Sequence, residues 1–138
     1  MSEQRAVVQS FYEAFDAGNV DVAASHFAEH AKMRDPELGS VEGRGVVRDY
    51  LAGLKGPVPD ARAVVERILE AGDTVVVEGR FQGTNTGPLP GEDGELPPSG
   101  RPVDLPFADF SRVADGLIVE YHTYYDQVGL MRQLGLMD

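Results

Sequence analysis

The sequence predicts an α+β domain in which N-terminal helices pack on the concave face of a cone-shaped, curved antiparallel or mixed sheet. Two observations indicate this class. Apolar residues recur at helical spacing through most of residues 2–54, whereas they alternate with polar residues in several segments of residues 64–125. Helices followed by antiparallel strands are typical of α+β domains, because the helices cover one face of the sheet.

Length and composition limit what this domain can bind. The chain has 138 residues, of which 42% are hydrophobic, so we expect a single domain over residues 1–138 with its own core. The formal net charge of −11 argues against nucleic acid and anionic membranes as partners, because both require clustered Lys and Arg. Without cysteines, disulfides and thiolate metal sites are excluded. The first residues lack the apolar core of a signal peptide and no apolar run reaches the length of a membrane span, so we expect a cytoplasmic protein.

Three helices are predicted before the sheet. The first covers Ser2–Asn19, with Ser2 as its N-cap, and the second covers Val20–His30. The second helix must end before Asp35, because the residue that precedes a proline is pushed toward extended geometry. The third covers Glu42–Leu54. The predicted inward positions are Val7, Val8, Phe11 and Phe15, then Val20, Ala23, Ala24 and Phe27, then Val46, Val47, Tyr50, Leu51 and Leu54.

Two β-hairpins form the predicted sheet. Their strands and turns are Val64–Leu69 and Thr74–Phe81 around Ala71-Gly72-Asp73, then Val103–Val113 and Leu117–Tyr125 around Asp115-Gly116. Between the hairpins, Gly83–Pro102 is rich in glycine and proline, which predicts a long mobile loop or lid over one end of the sheet. A short C-terminal helix, Gln127–Leu136, follows Asp126, which is suited to be its N-cap.

Asp109 is the residue that most directly suggests a site, because it interrupts an apolar row on its strand. The residues of that row are Val103, Leu105, Phe107, Asp109, Ser111 and Val113. A carboxylate in such a place is costly unless it is protonated, hydrogen-bonded or in contact with a wet pocket. The same conditions prepare a carboxyl group for acid–base chemistry, although a structural Asp bonded to backbone N–H groups is an equally good interpretation.

The length of the turn between the last two strands decides which side chains share the face of Asp109, because a slip of one residue exchanges the two faces. A two-residue loop would place there Ile118, Glu120, His122, Tyr124 and Asp126. A three-residue loop, 114–116, would instead place there Leu117, Val119, Tyr121, Thr123 and Tyr125. The second set is more apolar and matches the partner strand, so we prefer it. It puts Tyr121 opposite Asp109 and Thr123 on the diagonal.

Five segments follow one another over nearly the whole chain in an order that is informative. They are Phe15-Asp-Ala-Gly-Asn-Val-Asp, Asp35-Pro36, Gly83-Thr-Asn-Thr-Gly-Pro-Leu, Pro98-Ser-Gly-Arg101 and Asp126-Gln-Val-Gly-Leu-Met-Arg-Gln-Leu-Gly135. Together they resemble the SnoaL-like polyketide cyclases of the nuclear-transport-factor-2-like superfamily. The resemblance implies a cystatin-like α+β barrel, a pocket for a small hydrophobic organic molecule, and a homodimer formed by outer faces of the sheet.

The resemblance also bears on the site residues. In the cyclases a His occupies the position of Asp109, and the catalytic Asp occupies the position of Thr123, whose hydroxyl does not titrate near neutrality. Two of the segments also resemble ketosteroid isomerases, which implies Asp35 as the general base and Asp109 as a protonated hydrogen-bond donor. The oxyanion-hole Tyr of those isomerases aligns with Phe11, which leaves Tyr12 as a poorly placed substitute.

The predicted function is cofactor-free acid–base proton transfer on a hydrophobic, polyketide- or terpenoid-like carbonyl compound, as in a biosynthetic cyclase, isomerase or lyase. The candidate catalytic residues are Asp35, Asp109 and Thr123, and the candidate substrate-binding residues are Phe11, Tyr12, Phe15, Phe107, Tyr121 and Tyr125. Two alternatives stay open. One is a binding protein without catalysis, and the other is an epoxide-opening hydrolase. In the hydrolase, the alternating side chains of Glu78, Arg80 and Gln82 would form an internal ion-pair set, but the sequence favours the solvated side of the sheet for them.

No cofactor and no metal are predicted. His26 and His30 are four residues apart on the predicted second helix, which is a metal-ligand spacing, but the sequence indicates no third ligand and favours a surface pair. The glycines at positions 43, 45, 83 and 87 lack the spacing of a dinucleotide-binding or P-loop motif.

Overall fold

The first helix begins and ends for local reasons that the sequence already indicates. In the computed structural model, which describes residues 2–91 and 94–137, α1 covers Glu3–Asp16. The Ser2 hydroxyl accepts a hydrogen bond of 3.1 Å from the backbone N–H of Arg5, as expected of an N-cap. Gly18 follows with a φ of 81°, a left-handed conformation that turns the chain into the next helix. The buried side chains of α1 are Val8, Phe11, Tyr12 and Phe15.

The other helices and strands follow in chain order. They are α2 (Val20–Ser25), β1 (Phe27–Asp35), β2 (Gly39–Glu42), α3 (Arg44–Lys55), β3 (Arg62–Ala71), β4 (Thr74–Thr84), β5 (Leu89–Gly91), β6 (Gly94–Leu96), β7 (Pro102–Ala114), β8 (Leu117–Tyr125) and α4 (Gln127–Gln133). The two long hairpins are confirmed, but the helices do not all precede the sheet, because β1 and β2 lie between α2 and α3. Asp126 is the N-cap of α4, because its side chain accepts a hydrogen bond from the backbone N–H of Gly129.

The main sheet is curved, mixed and open. Its strand order is β2-β1-β8-β7-β4-β3, and all neighbours are antiparallel except β1 and β8, which are parallel. Helix α1 contacts β3, β4, β7 and β8, so its apolar stripe covers one face of the sheet. The α+β class is therefore confirmed. The described strands leave both sheet edges unpaired, so the expected closure into a barrel is wrong.

The second predicted helix is too long, because its last residues form a strand instead. Helix α2 ends at Ser25, and β1 begins at Phe27 and then buries alternate residues from Ala31 to Asp35. Strand β8 pairs with Phe27 and, after a register shift, with residues 32–34, and this long-range pairing favours the strand. His26 and His30 therefore do not share a helix, and within residues 2–91 and 94–137 no cluster of three His, Asp or Glu side chains is placed to hold a metal ion.

The turn between β7 and β8 has two residues, not the three that we predicted. Asp115 and Gly116 both have positive φ, 52° and 75°, as in a type I′ turn, and Ala114 pairs with Leu117. A β-bulge at Val119 then shifts the register by one residue, since the pairs change from Val113 and Ile118 to Arg112 and Glu120. The bulge restores the face that we predicted for Tyr121, Thr123 and Tyr125.

The segment predicted as a mobile loop or lid, 83–102, is tied to the body of the domain through Asn85. This side chain is fully buried. Its amide nitrogen donates to the carbonyls of Pro57 and Gly87 at 2.8 and 3.0 Å, and its oxygen accepts from the backbone and hydroxyl of Ser99 at 2.8 Å each. Strands β5 and β6 pair with each other within this segment. Long-range contacts of one asparagine thus order a stretch whose local sequence resembles a loop.

The outer face of the sheet carries paired charges. Arg80 lies 2.6 Å from Asp104, and Arg67 lies 3.5 Å from Glu78. Gln82 donates to the same Asp104 carboxylate. These side chains are partly or largely exposed, so they form the solvated side of the sheet and not the internal ion-pair set of an epoxide hydrolase. Among the described helices, none has the length and apolar character required to cross a bilayer.

Candidate active site

An apolar cavity opens between the sheet and helices α1, α3 and α4. Its volume, with the open mouth included, is about 550 Å³. Its wall includes the six residues predicted to bind substrate, together with Asp109 and Thr123. The six are Phe11, Tyr12, Phe15, Phe107, Tyr121 and Tyr125. The predicted binding residues of the sheet and of α1 therefore line the same cavity.

Asp109 lies in the middle of the wall formed by the sheet. Its partners in register are Val77 on β4 and Thr123 on β8, and 2% of its surface is exposed. The prediction that Tyr121 stands opposite Asp109 is wrong, because the bulge places Tyr121 on the diagonal, opposite Ser111. The diagonal position still brings its hydroxyl to the carboxyl group.

Two tyrosine hydroxyls converge on one oxygen of this carboxyl group. Tyr12 donates to Oδ2 of Asp109 at 2.6 Å, and Tyr121 donates to the same oxygen at 3.0 Å. The other oxygen, Oδ1, is buried and has no hydrogen-bond partner among the described residues. A buried acceptor without a partner is uncommon in proteins and marks a place where a ligand can be recognised.

The electrostatic environment of Asp109 makes it a group that can exchange a proton near neutrality. Burial raises its pKa from the usual 3.8 to about 6, against the hydroxyls of Thr123, Tyr12 and Tyr121, which lower it. Burial, and then the charge of Asp109, raise the pKa values of Tyr12 and Tyr121 well above 10. Both phenols therefore keep their protons and act as donors to the carboxylate.

Tyr12 lies on the cavity wall next to Phe11, the residue that aligns with the oxyanion-hole tyrosine of the ketosteroid isomerases. Phe11 and Tyr12 are both buried on α1. The Phe11 ring packs edge-on against Phe27 and Tyr121, whereas the Tyr12 hydroxyl reaches Asp109. The helix turns both side chains toward the cavity, but the proton of Tyr12 is used in the bond to Asp109, so that Tyr12 is a poorly placed substitute for the isomerase tyrosine stays a prediction.

Asp35 is buried at the end of β1, behind the cavity wall. Its Oδ2 accepts from the backbone N–H groups of Glu37 and Leu38 at 2.8 and 3.0 Å, which is the bonding of an Asx-turn. Its Oδ1 accepts from the Tyr125 hydroxyl at 3.1 Å. Asp35 itself is not part of the cavity wall, whereas Tyr125 is. This arrangement favours a positioning role for Asp35 over the role of a base.

Tyr50 lines the cavity, and the sequence analysis did not identify it as a site residue. It was predicted as an inward residue of the third helix, and in α3 it lies on the cavity wall. Its hydroxyl lies beside that of Tyr125 and lowers the pKa of Tyr125, which burial and the charge of Asp35 raise. The available signal was a tyrosine among the inward positions of an amphipathic helix, since a buried phenol requires a polar neighbour.

A known protein family matches most of the chain. The model of the SnoaL-like domain family matches residues 8–121. The chain belongs to this family. The match contains Asp35, Asp109, Tyr12 and Tyr121, whereas Thr123 and Tyr125 lie just beyond its end. No curated protein matches the chain.

Solved structures show which proteins this SnoaL-like domain is similar to. A candidate SnoaL-like polyketide cyclase from Jannaschia sp. CCS1 is 26% identical, with a TM-score of 0.84 over 99% of this chain and 94% of that one. IdmH, a candidate polyketide cyclase from Streptomyces antibioticus, is 28% identical, with a TM-score of 0.81 over 97% and 99%. AclR, a candidate hydroxylase from Streptomyces galilaeus, is 21% identical with a TM-score of 0.85 over 100% and 88%, and this likeness shows the fold alone.

Proposed function

We propose that this SnoaL-like domain is a cyclase or isomerase that acts on a small hydrophobic carbonyl compound by acid–base proton transfer, without a cofactor. The observation that carries the proposal is Asp109, a carboxyl group with a pKa raised to about 6 and a free oxygen in an apolar cavity. Membership of the family and the names of the two relatives above 25% identity support the class of reaction.

In the proposed reaction, Oδ1 of Asp109 removes a proton from the carbon next to the carbonyl group. The electron pair of that C–H bond forms a C=C bond, and the carbonyl π pair moves to oxygen to give an enolate. The enolate carbon then attacks a second carbonyl, whose oxygen takes up the proton in a cyclisation, or it is reprotonated at another carbon in an isomerisation. Asp109 returns the proton, so no external oxidant or reductant is required.

The other polar residues have supporting roles in this proposal. Tyr12 and Tyr121 hold Oδ2 of Asp109 and leave Oδ1 facing the substrate. The Thr123 hydroxyl on the cavity wall can donate to the enolate oxygen, whereas the Tyr50 hydroxyl interacts with Tyr125. Asp35 positions Tyr125 and does not itself touch the substrate.

The test is proton exchange on a carbonyl probe. A cyclic β-keto ester or a cyclic β,γ-unsaturated ketone in deuterated water should lose its acidic proton signal faster with the protein than with buffer. Asp109→Asn should slow this exchange on the order of a hundredfold or more, because the amide cannot take the proton. Ser111→Ala is the matched control, since Ser111 lies two residues away on the same face but is not part of the cavity wall. Equal rates for wild type and Asp109→Asn would overturn the proposal.

A binding protein without catalysis is the second candidate function. It is favoured by the fact that Asp109 is the single carboxyl group on the described cavity wall, so the wall offers no second titratable acid or base near neutrality. In that case carbonyl compounds would bind in the cavity, but none would exchange a proton faster than in buffer.

We also propose that two copies of the chain pair through the outer face of the sheet. The rings of Phe110 and Tyr124 lie 6.0 Å apart, edge to face, and are 42% and 43% exposed there. Beside them the charges of Arg112 and Glu120 pair at 2.9 Å. Because the charges of Arg112 and Glu120 cancel, this patch allows close approach of two chains that each carry a net charge of −11.

A further inference from the structure

We propose that the cavity selects ligands that present a hydroxyl donor, such as a phenol or an enol, to Oδ1 of Asp109. This inference rests on the proposed function only in taking this cavity as the ligand site, and it does not require turnover. It names the ligand class as hydroxyaryl or enolised carbonyl compounds, in preference to ligands of equal shape that only accept hydrogen bonds.

The hydroxyl protons of two cavity tyrosines are already used in hydrogen bonds within the protein. A phenol has one proton, and an ionised carboxyl group has none. Because Tyr12 and Tyr121 both donate to Oδ2 of Asp109, neither has a proton left for a ligand. Their oxygens can only accept.

The hydroxyl proton of Tyr125, on the far side of the cavity, is also used in a hydrogen bond within the protein. Its hydroxyl donates to Oδ1 of Asp35, whose other oxygen is held by the backbone N–H groups of Glu37 and Leu38. A carboxylate fixed by these bonds keeps the Tyr125 proton turned away from the cavity, so Tyr125 also presents an acceptor to a ligand.

The remaining neighbours of Asp109 supply no charged donor. Tyr12 faces it from α1, Tyr50 from α3, and Tyr121 and Thr123 from β8, while its partner on β4 is Val77. No Lys, Arg or His of residues 2–91 and 94–137 forms part of the cavity wall. Apart from the hydroxyl of Thr123, a hydroxyl of the ligand is therefore the donor best able to satisfy Oδ1.

Thr123 is the one neighbour that could compete with the ligand. Its hydroxyl lies close enough to lower the pKa of Asp109, yet Oδ1 has no hydrogen bond of normal geometry. A ligand without a donor would bury this charged oxygen and leave it unpaired, which is costly, whereas a hydroxyl would pair with it. Hydrogen bonds to charged groups correspond to a preference on the order of tenfold to hundredfold in affinity.

The experiment compares para-ethylphenol with para-ethyltoluene, in which a methyl group replaces the hydroxyl, by ligand-observed NMR titration of the intact protein. At about pH 8, where Asp109 is ionised, we expect the phenol to bind at least about tenfold more tightly. At about pH 5 the protonated carboxyl should lose much of this preference and should bind para-ethylbenzaldehyde, which only accepts, more tightly than at pH 8.

Variants show which residue causes the preference for the phenol over the toluene. Asp109→Asn should reduce it severalfold at about pH 8, and Ser111→Ala should leave it unchanged because Ser111 lies outside the cavity wall. Thr123→Val removes the competing hydroxyl, so the preference should stay or increase. Should Asp109→Asn fail to fold, the pH comparison on wild type serves in its place.

Three outcomes would overturn the inference: equal binding of the phenol and the toluene at pH 8, no binding of either, or a preference that is lost in Thr123→Val and kept in Asp109→Asn. The exchange assay separates this inference from the proposed function. Exchange that depends on Asp109 without a hydroxyl preference removes the inference alone, whereas a hydroxyl preference without any exchange removes the enzyme proposal alone.

Discussion

The hydroxyl of Tyr12 donates a hydrogen bond of 2.6 Å to Oδ2 of Asp109, although the two residues are 97 positions apart in the sequence. This bond joins α1 to the centre of the sheet through the candidate site itself. The same side chains that set the protonation of Asp109 therefore also hold the first helix in place, so stability and activity should respond together to changes at this contact.

The first prediction concerns the pH dependence of stability. Burial raises the pKa of Asp109 to about 6 in the folded protein, so folding favours the protonated form. The stabilisation is complete below the unfolded value near 3.8 and is lost as pH rises through about 6. Relative to Asp109→Asn, the unfolding free energy of wild type should fall by about 3 kcal/mol across this window, as measured by urea denaturation. A difference that stays constant from pH 4 to pH 8 would contradict the raised pKa.

The second prediction concerns Tyr12→Phe. This change removes a hydrogen bond that lowers the pKa of Asp109, so the midpoint of the pH–rate profile for proton exchange should move from about 6 to higher pH. The unfolding free energy at about pH 8 should also fall by about 1.5–3 kcal/mol, because the bond is made to a charged group.

Tyr124→Phe is the matched control for this change, since the Tyr124 ring is exposed on the outer face of the sheet. It should alter neither the midpoint of the profile nor the unfolding free energy. If Tyr12→Phe and Tyr124→Phe shift the midpoint equally, the Tyr12 hydroxyl does not tune Asp109.

The third prediction compares Asp35→Asn with Asp109→Asn to identify which of the two carboxyl groups is the base. Asp35→Asn keeps an acceptor for the turn at Glu37 and Leu38, and it leaves the cavity carboxyl intact. Exchange should therefore persist within about tenfold of wild type, whereas Asp109→Asn should lose on the order of a hundredfold or more. Loss of exchange in Asp35→Asn, with Asp109→Asn near wild type, would assign the base to Asp35.

The fourth prediction concerns the loop that Asn85 holds. Asn85→Ala leaves the carbonyls of Pro57 and Gly87 and the N–H of Ser99 without their partner, which should lower the unfolding free energy by about 3 kcal/mol. A glutamate-specific protease should then cut after Glu95 faster than in wild type. Thr86→Ala, at the exposed neighbouring position, should match wild type in both measurements, and equal cleavage of Asn85→Ala and wild type would mean that Asn85 does not order the segment.

The fifth prediction concerns assembly. Light scattering at micromolar concentration should give the mass of two chains for wild type and of one chain for Phe110→Asp, because the new charge would be buried in the proposed contact. Val22→Asp, at an exposed position of helix α2 away from this face, should remain a dimer. A monomeric mass for wild type would end the dimer proposal.

Local patterns in the sequence determined much of the site. The alternation around Asp109 identified its face of β7, because side chains of a strand alternate regardless of what lies beside them. The spacing of Phe11 and Phe15 likewise identified the inward stripe of α1, since residues three and four apart share a helix face. Ser2 and Asp126 were identified as N-caps because a cap depends only on the next few residues.

Tertiary structure alone decided the contacts that give the site its chemistry. The bulge at Val119 put Thr123 opposite Asp109 where the turn alone would have put His122. Pairing of β8 with Phe27 and with residues 32–34 made a strand of a stretch whose beginning the sequence predicts as helix. The burial of Asp35 behind Tyr125 and the free Oδ1 of Asp109 also depend on which distant elements meet. Local propensities are weak compared with the energy of long-range pairing and packing, so the partners of a residue emerge only when the whole chain has folded.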